Sequence, residues 1–220
     1  ALGIASDVIV GQGGTSILAE TSEIFGAEHL LTRRARNVEV ADKLLELIEW
    51  WKWYVGIFGE ELDNNPSVGN KAGGLTTITE KSLGAIAKAG SSRLEMVYDY
   101  AQPIDRRGLV IMDSPGYDPP SVTGMVAGGA NVVCFTTGRG SCFGCKPVPT
   151  IKIASNSPMY HRMEEDMDIN CGGIIDGDDT VRSCGEAIFQ KIIAIASGEK
   201  TASESLGYGS NEFVPWMVGA

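Results

Sequence analysis

The chain has 220 residues and a hydrophobic fraction of 43%, enough for one large domain that buries its own core without disulfides or structural metals. Its formal net charge of −10 argues against nucleic acid or an anionic membrane as partner, but it permits a local positive site for a small anion. No apolar run reaches the roughly 18 residues of a membrane span, and five cysteines, an odd number, favour a reducing cytoplasm over a disulfide framework.

The first half of the sequence alternates predicted helices with short apolar strands. Helices are predicted at residues 2–10, 23–36, 38–58 and 79–88, and strands at residues 15–19 and 94–100. The apolar face of the helix at 38–58 combines helical spacing with flanking aromatics, namely Val40, Leu44, Leu47, Ile48, Trp50, Trp51, Trp53 and Tyr54. Such a cluster is more typical of a core or a subunit contact than of a cofactor site.

The second half of the sequence continues this alternation. Strands are predicted at residues 109–112, 131–135 and 150–154, and helices at 121–129, 158–165 and 181–196. A proline-rich segment at 114–120 is interpreted as a rigid turn. The pattern predicts an α/β fold, layered and Rossmann-like, in which helices flank a largely parallel sheet within a single domain over residues 1–220.

Polar side chains follow several of the predicted strands directly. These clusters lie at residues 20–23, 113–118, 136–139 and 155–156. Because ligands of open α/β sheets gather at the carboxyl ends of the strands, we expect these clusters to lie close together.

The loop after the strand at 131–135 offers hydroxyls, free backbone N–H groups and a guanidinium together. Thr136, Thr137 and Arg139 stand beside two glycines there, a composition that suits an anionic ligand. The alternative is a glycine-rich surface turn with a solvated Arg139, since glycine motifs alone are weak signals.

A second candidate segment covers residues 64–82. Lys71 stands near Gly73 and Gly74, but the spacing of a nucleotide-binding P-loop is absent. Lys71 or Lys81 is a candidate general base, with Glu80 as its partner, if burial or nearby cations lower the lysine pKa. The alternative is a solvated loop lysine and an ordinary glutamate at a helix N-terminus.

Candidate metal ligands are few. Glu20, Glu23, Glu28 and His29 form the acidic–histidine cluster of the first half, and such side chains bind Fe²⁺, Mn²⁺ or Zn²⁺, although Glu28 and His29 fit a solvent-facing helix equally well. His161 is predicted to lie on the surface. Cys142 and Cys145 have CxxC spacing without a second pair at zinc-ribbon distance, so a redox or zinc site there is a weaker alternative.

Four motifs, in order along the chain, resemble the altronate/galactarate dehydratase (UxaA) family. They are Glu-Thr-Ser-Glu-Ile-Phe-Gly-Ala-Glu-His-Leu-Leu at 20–31, Asn-Pro-Ser-Val-Gly-Asn-Lys-Ala-Gly-Gly-Leu-Thr-Thr-Ile-Thr-Glu-Lys-Ser-Leu-Gly at 65–84, Phe-Thr-Thr-Gly-Arg-Gly at 135–140, and Asp-Ile-Asn at 168–170. The resemblance extends from the first residue to about residue 198, so it covers nearly the whole chain.

The resemblance implies a hydro-lyase that removes water from a sugar acid and leaves a 2-keto-3-deoxy acid, with a divalent metal, Fe²⁺ or Mn²⁺. The proton beside the substrate carboxylate is weakly acidic, so positive charge must stabilise the enediolate-like intermediate. Within this family we hypothesise that Glu20, Glu23 and His29 bind the metal, and that Lys71 or Lys81 abstracts the proton while Glu80 tunes it or protonates the departing hydroxyl. The predicted substrate-binding residues are Asn70, Gly73, Gly74, Asp113, Thr136, Thr137, Arg139 and Gly140.

The sequence departs from the family pattern in two places. Family members extend upstream with a further domain, and a Cys-Gly-Gly segment lies just before the point where this chain starts, so we expect the missing N-terminal domain to share the site. The segment Gly-Ser-Cys-Phe-Gly at 140–144 differs from the Gly-Thr-Pro-Phe/Tyr-Gly form of the altronate and galactarate enzymes. This difference makes the large subunit of sulfolactate sulfo-lyase, which eliminates sulfite, the alternative within the family.

Two alternatives lie outside lyase chemistry. The chain is a non-catalytic assembly module if its aromatic helix serves only as a subunit interface, and it is a redox protein if Cys142 or Cys145 carries a reactive thiol. A homo-oligomer is predicted from general frequencies of symmetric assembly.

Overall fold

The computed structural model describes residues 1–62, 68–72 and 74–218, with the backbone alone for Val68 and Asn70. The helices are α1 Leu2–Gly11, α2 His29–Thr32, α3 Val38–Ile57, α4 Val68–Ala72, α5 Ile78–Ala87, α6 Asp118–Ala127, α7 Ser157–Arg162, α8 Gly173–Asp176, α9 Val181–Ala196 and α10 Ala202–Leu206. The strands are β1 Thr15–Leu18, β2 Leu94–Tyr98, β3 Gly108–Met112, β4 Val133–Thr137, β5 Thr150–Ala154 and β6 Ile169–Asn170.

All of these strand pairings are parallel, which confirms the predicted α/β fold. The strands form two three-stranded sheets, one in the order β1-β3-β2 and the other in the order β4-β5-β6. The sequence predicted a single layered sheet, whereas β1 and β4 are edge strands of separate sheets. Their carboxyl ends carry two of the four predicted polar clusters, at 20–23 and 136–139.

Helix α3 shows how the sequence produces these elements. The Asn37 side chain accepts a hydrogen bond from the Val40 amide and caps the helix N-terminus. The buried residues recur at helical spacing: Val40, Leu44 and Ile48 belong to the core of the first sheet, and Trp51 and Val55 belong to a separate cluster. Burying such side chains contributes about 1.5–3 kcal/mol each, so this face anchors the helix that carries Trp51.

Helix α1 packs closely on α9 and on the end of α5. A Cβ on Gly185 would lie 2.6 Å from the Ile4 side chain, and a Cβ on Gly3 would overlap the Ala87 carbonyl oxygen. These glycines therefore permit the close helix contacts by which α1, which leads into the first sheet, also joins the apolar core of the second.

The aromatic cluster is partly core, as predicted. The Trp51 and Trp216 rings stack with centroids 5.1 Å apart, and Trp50 stacks on Tyr54 at 4.8 Å. Trp51 is fully buried, whereas Trp53 is 63% exposed. The subunit contact predicted for this helix stays a prediction.

Several predicted boundaries differ from the structure. The single helix predicted at 23–36 is wrong: a 3₁₀ turn at Thr21–Ile24 and the short helix α2 replace it, because Gly26 adopts a left-handed backbone conformation at φ +85°. Helix α6 starts three residues earlier than predicted, since prolines are tolerated in the first turn of a helix. Strand β4 starts at Val133 rather than at 131.

Helices in the described part of the chain include none with both the length and the apolar character needed to cross a membrane.

Candidate active site

The carboxyl ends of β1 and β3 are joined by hydrogen bonds that fix the turn after β1. The Glu20 amide donates to Ser114 Oγ at 2.8 Å, and the Thr21 amide donates to the Ser114 carbonyl at 3.0 Å. The Thr21 hydroxyl donates to Asp113 Oδ1 at 2.5 Å. These bonds hold the 3₁₀ turn Thr21–Ile24, which contains Glu23 and is preceded by Glu20.

Asp113, a predicted substrate-binding residue, makes its contacts inside the protein. It is 6% exposed, and its Oδ1 also accepts a hydrogen bond from Trp51 Nε1 at 2.8 Å. Burial raises the pKa of Asp113, while the hydrogen bonds from Thr21 and Trp51 oppose that rise. Asp113 therefore positions the turn that carries the glutamates.

A cleft of about 480 Å³, which we call the Lys81 cleft, brings distant motifs together. Its lining comes from the turn after β1, from α4 and α5, and from the loops after β4 and β5: Glu23, Gly69, Leu75, Glu80, Lys81, Gly84, Ala85, Lys88, Gly138, Arg139, Ser155 and Asn156. Three of the four polar clusters expected to converge thus contribute to one cleft.

Glu23 and Lys81 form an ion pair in this cleft. Lys81 Nζ lies 2.5 Å from Glu23 Oε1, and the two side chains are only 17% and 11% exposed, respectively. A Cβ on Gly116 would lie 3.3 Å from Glu23 Oε1, so this glycine leaves room for the carboxylate. This partly buried pair therefore places one positive and one negative group at the wall of the cleft, where both can contact a bound ligand.

Glu80 caps α5 rather than pairing with a lysine. Its Oε2 accepts hydrogen bonds from the Thr76 amide at 2.9 Å and from the Thr76 hydroxyl at 2.8 Å. These bonds, the amide first, lower the pKa of Glu80. Glu80 is exposed, and Lys71 is exposed on α4. The alternative of an ordinary glutamate at a helix N-terminus therefore describes the observed contacts of Glu80.

The loop after β4 places Arg139 across the Lys81 cleft. Gly140 adopts φ +95° and donates its amide to Thr137 Oγ1 at 3.1 Å, while Asn156 Nδ2 donates to the Gly138 carbonyl at 2.9 Å. The exposed Arg139 guanidinium lies so close to Gly69 that a Cβ there would overlap it. Among the predicted substrate residues, Gly73 and the Asn70 side chain lie outside the described residues, and Gly74 is exposed at φ +104°.

Glu20 occupies an unusual position beside this pair. Its backbone is left-handed at φ +66°, which is uncommon for a residue with a side chain and typical of functional sites. Burial, and next the negative charge of Glu23, raise the pKa of Glu20 to about 8, with Lys88 opposing. Loss of solvent and the charge of Glu23 also raise the pKa of Asp118.

Two residues of the site, Lys88 and Asp118, were not among the site residues predicted from the sequence. Lys88 follows Lys81 by seven positions, which places both on one face of the α5 helix, so this spacing was a usable signal. Asp118 belongs to the 113–118 cluster, which was expected to lie close to the cluster at 20–23, and the charge of Glu23 does act on it.

A second and larger cleft, which we call the inter-sheet slot, separates β1 from β4. Its volume is about 590 Å³, and Glu20, Lys88, Asp118 and Thr136 lie along it. Ala85 and Lys88 border both clefts, so the two adjoin. Of the residues expected around one cleft, Glu20 and Thr136 line the slot, Arg139 lines the Lys81 cleft, and Asp113 lines neither.

The three predicted metal ligands do not come together. Glu20 and Glu23 hydrogen bond to each other, whereas His29 is exposed at the start of α2. Within residues 1–62, 68–72 and 74–218, no three His, Cys, Asp or Glu side chains form a group that could hold a metal ion. A metal at the two glutamates would therefore need further ligands from elsewhere.

His161 and the two thiols with CxxC spacing differ in their exposure to solvent. His161 is exposed, as predicted. Cys142 is exposed, Cys145 is buried, and both are free; burial raises the pKa of the Cys145 thiol. A reactive CxxC pair receives no support from this arrangement.

The structure thus defines an α/β protein with a charged cleft at the carboxyl ends of its parallel strands. Over residues 1–220 the sequence matches the family described as D-galactarate/altronate dehydratase, C-terminal, and the chain belongs to that family. This result confirms the family predicted from the four motifs.

The relatives are named for two kinds of elimination. The chain is 42% identical over 208 residues to galactarate dehydratase (L-threo-forming) of Escherichia coli (strain K12), covering 94% of this chain and 40% of the relative. It is 38% identical over 198 residues to altronate dehydratase of Bacillus subtilis (strain 168), covering 90% and 40%. It is 32% identical over 216 residues to (2R)-sulfolactate sulfo-lyase subunit beta of Chromohalobacter salexigens, covering 97% and 55%. The chain therefore spans about 40% of the length of the two dehydratases.

Proposed function

We propose that this chain carries the acid–base part of a hydro-lyase that dehydrates an altronate- or galactarate-like sugar acid to a 2-keto-3-deoxy acid. The observation that carries the proposal is the Lys81 cleft, in which a partly buried lysine–glutamate pair faces an arginine loop. The names of the two dehydratase relatives support the same reaction class.

The positive side chains of the cleft suit the substrate carboxylate. Arg139 offers a planar guanidinium that binds a carboxylate through two hydrogen bonds, and Lys88 adds a second positive charge on the facing helix. Charge on the carboxylate oxygens increases as the neighbouring C–H bond breaks, so these groups stabilise the enediolate more than they stabilise the substrate.

Lys81 is the better of the two lysine candidates for the base. After its own proton has passed to solvent, Lys81 takes the C2 proton, the C–H electrons form the enediolate, and Glu23 at 2.5 Å stabilises the ammonium that forms again. Lys71 is exposed on α4 and does not line the Lys81 cleft.

The departing hydroxyl requires a proton donor. Glu80 has a lowered pKa and its carboxylate accepts hydrogen bonds, so it is a poor acid at neutral pH. Glu20, with a pKa of about 8, holds a proton at pH 7 and hydrogen bonds to Glu23. We therefore assign the proton donor to Glu20. This role and metal ligation are mutually exclusive for Glu20, because a carboxylate that binds a metal is deprotonated.

A divalent metal, Fe²⁺ or Mn²⁺, stays a prediction from the family resemblance. The described residues do not supply a three-ligand set, so no step above depends on a metal.

The experiment is an anaerobic assay of the full-length protein with Fe²⁺ or Mn²⁺ on altronate, galactarate and sulfolactate, reading both 2-keto-3-deoxy acid and free sulfite. Formation of the keto-deoxy acid without sulfite supports the proposal and names the substrate. Failure of all three acids to react, with the protein folded and metal supplied, overturns it.

Sulfolactate sulfo-lyase activity is the second candidate. The relative of that name is matched over 97% of this chain, and the loop at 140–144 departs from the dehydratase form. Release of sulfite from sulfolactate in the same assay would assign the chain to this branch and leave the roles of Lys81 and Arg139 to be tested on the new substrate.

A further inference from the structure

Strands β1 and β4 are edge strands of different sheets, and both line the inter-sheet slot. Alternate backbone N–H and C=O groups of an edge strand point away from its only partner. Within the described part of the chain, no backbone hydrogen bond joins β1 to β4. The two rows of backbone groups are therefore available to a strand placed between them.

The opposite edge strand of the first sheet, β2, has a backbone partner. The Arg36 amide donates to the Leu94 carbonyl at 2.8 Å, and the Leu94 amide donates to the Arg34 carbonyl at 2.9 Å, so the segment at 34–36 pairs with the first residue of β2. Among the described residues, the edges of β1 and β4 that line the slot have no comparable backbone pairing.

Helices cover both faces of the slot, as they do for a central strand of a doubly wound sheet. On one face, α6 places Met125 in the apolar clusters of both sheets. On the other face, α1 places Val10 in the cluster of the first sheet and Ala5 in that of the second. Two helices therefore bridge the sheets from opposite sides, with the slot between them.

The slot has the chemistry that suits such a strand. Its walls are largely apolar, with Ile9, Ile17, Val122 and Val133 among the lining side chains. Strands buried between two helical layers are near-continuous apolar runs, so these walls match one. The charged lining groups Glu20 and Lys88 lie at the end where β1 finishes.

We propose that the inter-sheet slot is the seat of a further parallel β-strand, which the full-length polypeptide supplies from the region preceding residue 1. This strand joins the two sheets into one seven-stranded sheet in the order β2-β3-β1-new strand-β4-β5-β6. A strand connected through α1 to β1 forms a right-handed β-α-β unit, the connection found in nearly all parallel sheets.

The relatives provide chain for this role, since the two dehydratases are about two and a half times as long as the part matched here. In a parallel sheet the carboxyl end of the new strand emerges beside those of β1 and β4, next to Glu20 and Thr136. In this order β1 lies on one side of the new strand and β4 on the other, so the connections run toward opposite edges of the sheet from here. Open α/β sheets bind their ligands at such a point. The strand therefore also brings residues to the candidate active site.

Photo-cross-linking of the full-length protein tests the proposal. Met125→p-benzoylphenylalanine places a photoreactive group in the slot, and Met96→p-benzoylphenylalanine is a matched control on β2, partly buried like Met125 but outside the slot lining. We expect the Met125 variant, and not the control, to cross-link to a peptide upstream of residue 1. In a mixture of ¹⁴N- and ¹⁵N-labelled protein, we expect the two cross-linked peptides to carry the same label, because they come from one polypeptide. Cross-links confined to residues 1–220, or a strand that comes from a second copy, would overturn the proposal.

Hydrogen exchange of the unmodified full-length protein gives a measurement that does not depend on a variant folding. We expect the amides of β1 and β4 to exchange within about tenfold of those of the central strands β3 and β5. Alternate amides of β1 and β4 that exchange on the order of a hundredfold faster than their neighbours would indicate open edges and contradict the proposal. Neither measurement depends on activity, so their outcome is separate from that of the dehydratase assay.

Discussion

The Lys81 cleft and the inter-sheet slot adjoin at Ala85 and Lys88, yet they are built from different kinds of residue. Loops and helix ends line the Lys81 cleft and present charged groups such as Glu23 and Arg139. Strand edges and helix faces line the slot and present mostly apolar side chains. Polar groups without fixed partners are costly inside a core and useful beside a substrate. The Lys81 cleft is therefore suited to chemistry and the slot to packing, and Glu20 lies in the slot beside Glu23 of the Lys81 cleft.

The largest expected effect is on the base in the Lys81 cleft. Lys81→Met in the full-length protein removes the proton acceptor and leaves Glu23 without its partner, so we expect kcat to fall by about 10²–10⁴-fold. Lys71→Met is the matched control, because Lys71 is exposed on α4, and we expect its activity within about threefold of wild type. Steady-state measurements of kcat for both variants show which lysine is the base. A large loss of activity in the Lys71 variant alone would assign the base to Lys71 on α4.

Arg139 is expected to contribute to binding more than to turnover. Arg139→Ala removes a charge-assisted carboxylate contact, which corresponds to a rise in KM of about 10–100-fold with a smaller change in kcat. Arg139→Lys keeps the charge but loses the planar geometry, so partial recovery of KM is expected. Wild-type kinetics of Arg139→Ala would contradict a role of Arg139 in substrate binding at the Lys81 cleft.

Glu20 lines the slot, interacts with Glu23 of the Lys81 cleft, and is expected to make stability depend on pH. Its folded-state pKa of about 8 exceeds the ordinary value of 4.5, so the folded state holds a proton that the unfolded state has lost between these values. The resulting stabilisation is present below pH 4.5 and is lost as pH rises to 8. Glu20→Gln abolishes this dependence, and we expect the variant to gain about 1–4 kcal/mol relative to wild type between pH 4.5 and pH 9. Urea unfolding across this range measures it, and parallel pH profiles would contradict the assigned pKa.

The same variant distinguishes proton donation from metal binding. If Glu20 donates a proton, Glu20→Gln lowers kcat and leaves the metal content of the purified full-length protein unchanged. If Glu20 is a ligand, Glu20→Gln lowers the affinity of the protein for Fe²⁺ or Mn²⁺ by about 10–100-fold, which is typical for the loss of an interaction around a metal site. Elemental analysis after dialysis separates the two roles. We expect unchanged metal content, with Lys71→Met as the control.

Local sequence signals were enough to predict most of the fold. The helix at 181–196 was predicted at its observed bounds from its regular apolar spacing, and the structure shows that Thr180 and Ser183 form a capping box at its start. The parallel sheet followed from strand–helix alternation. The helix predicted at 23–36 failed because periodicity does not show that Gly26 takes a left-handed conformation.

The site was less predictable because its contacts are distant along the chain. Glu23 and Lys81 are 58 residues apart, and only the packing of α5 against the turn after β1 brings them together. Nothing in the sequence shows that Asp113 points into the core toward Trp51. Motif membership therefore identified which segments matter, while the assignment of roles within them required the structure.

The smallest expected effect concerns the cysteines beside the arginine loop. Cys142 is exposed and Cys145 is buried, and neither lines either cleft. We expect mild alkylation to modify Cys142 and spare Cys145, because burial raises the pKa of the Cys145 thiol and blocks access. Cys142→Ser should then keep activity within about twofold of wild type, as surface substitutions away from a site usually do. A large loss of activity in this variant would extend the functional surface from the Lys81 cleft into the 140–145 loop, the segment in which the chain departs from the dehydratase pattern. That result would favour a substrate other than a sugar acid.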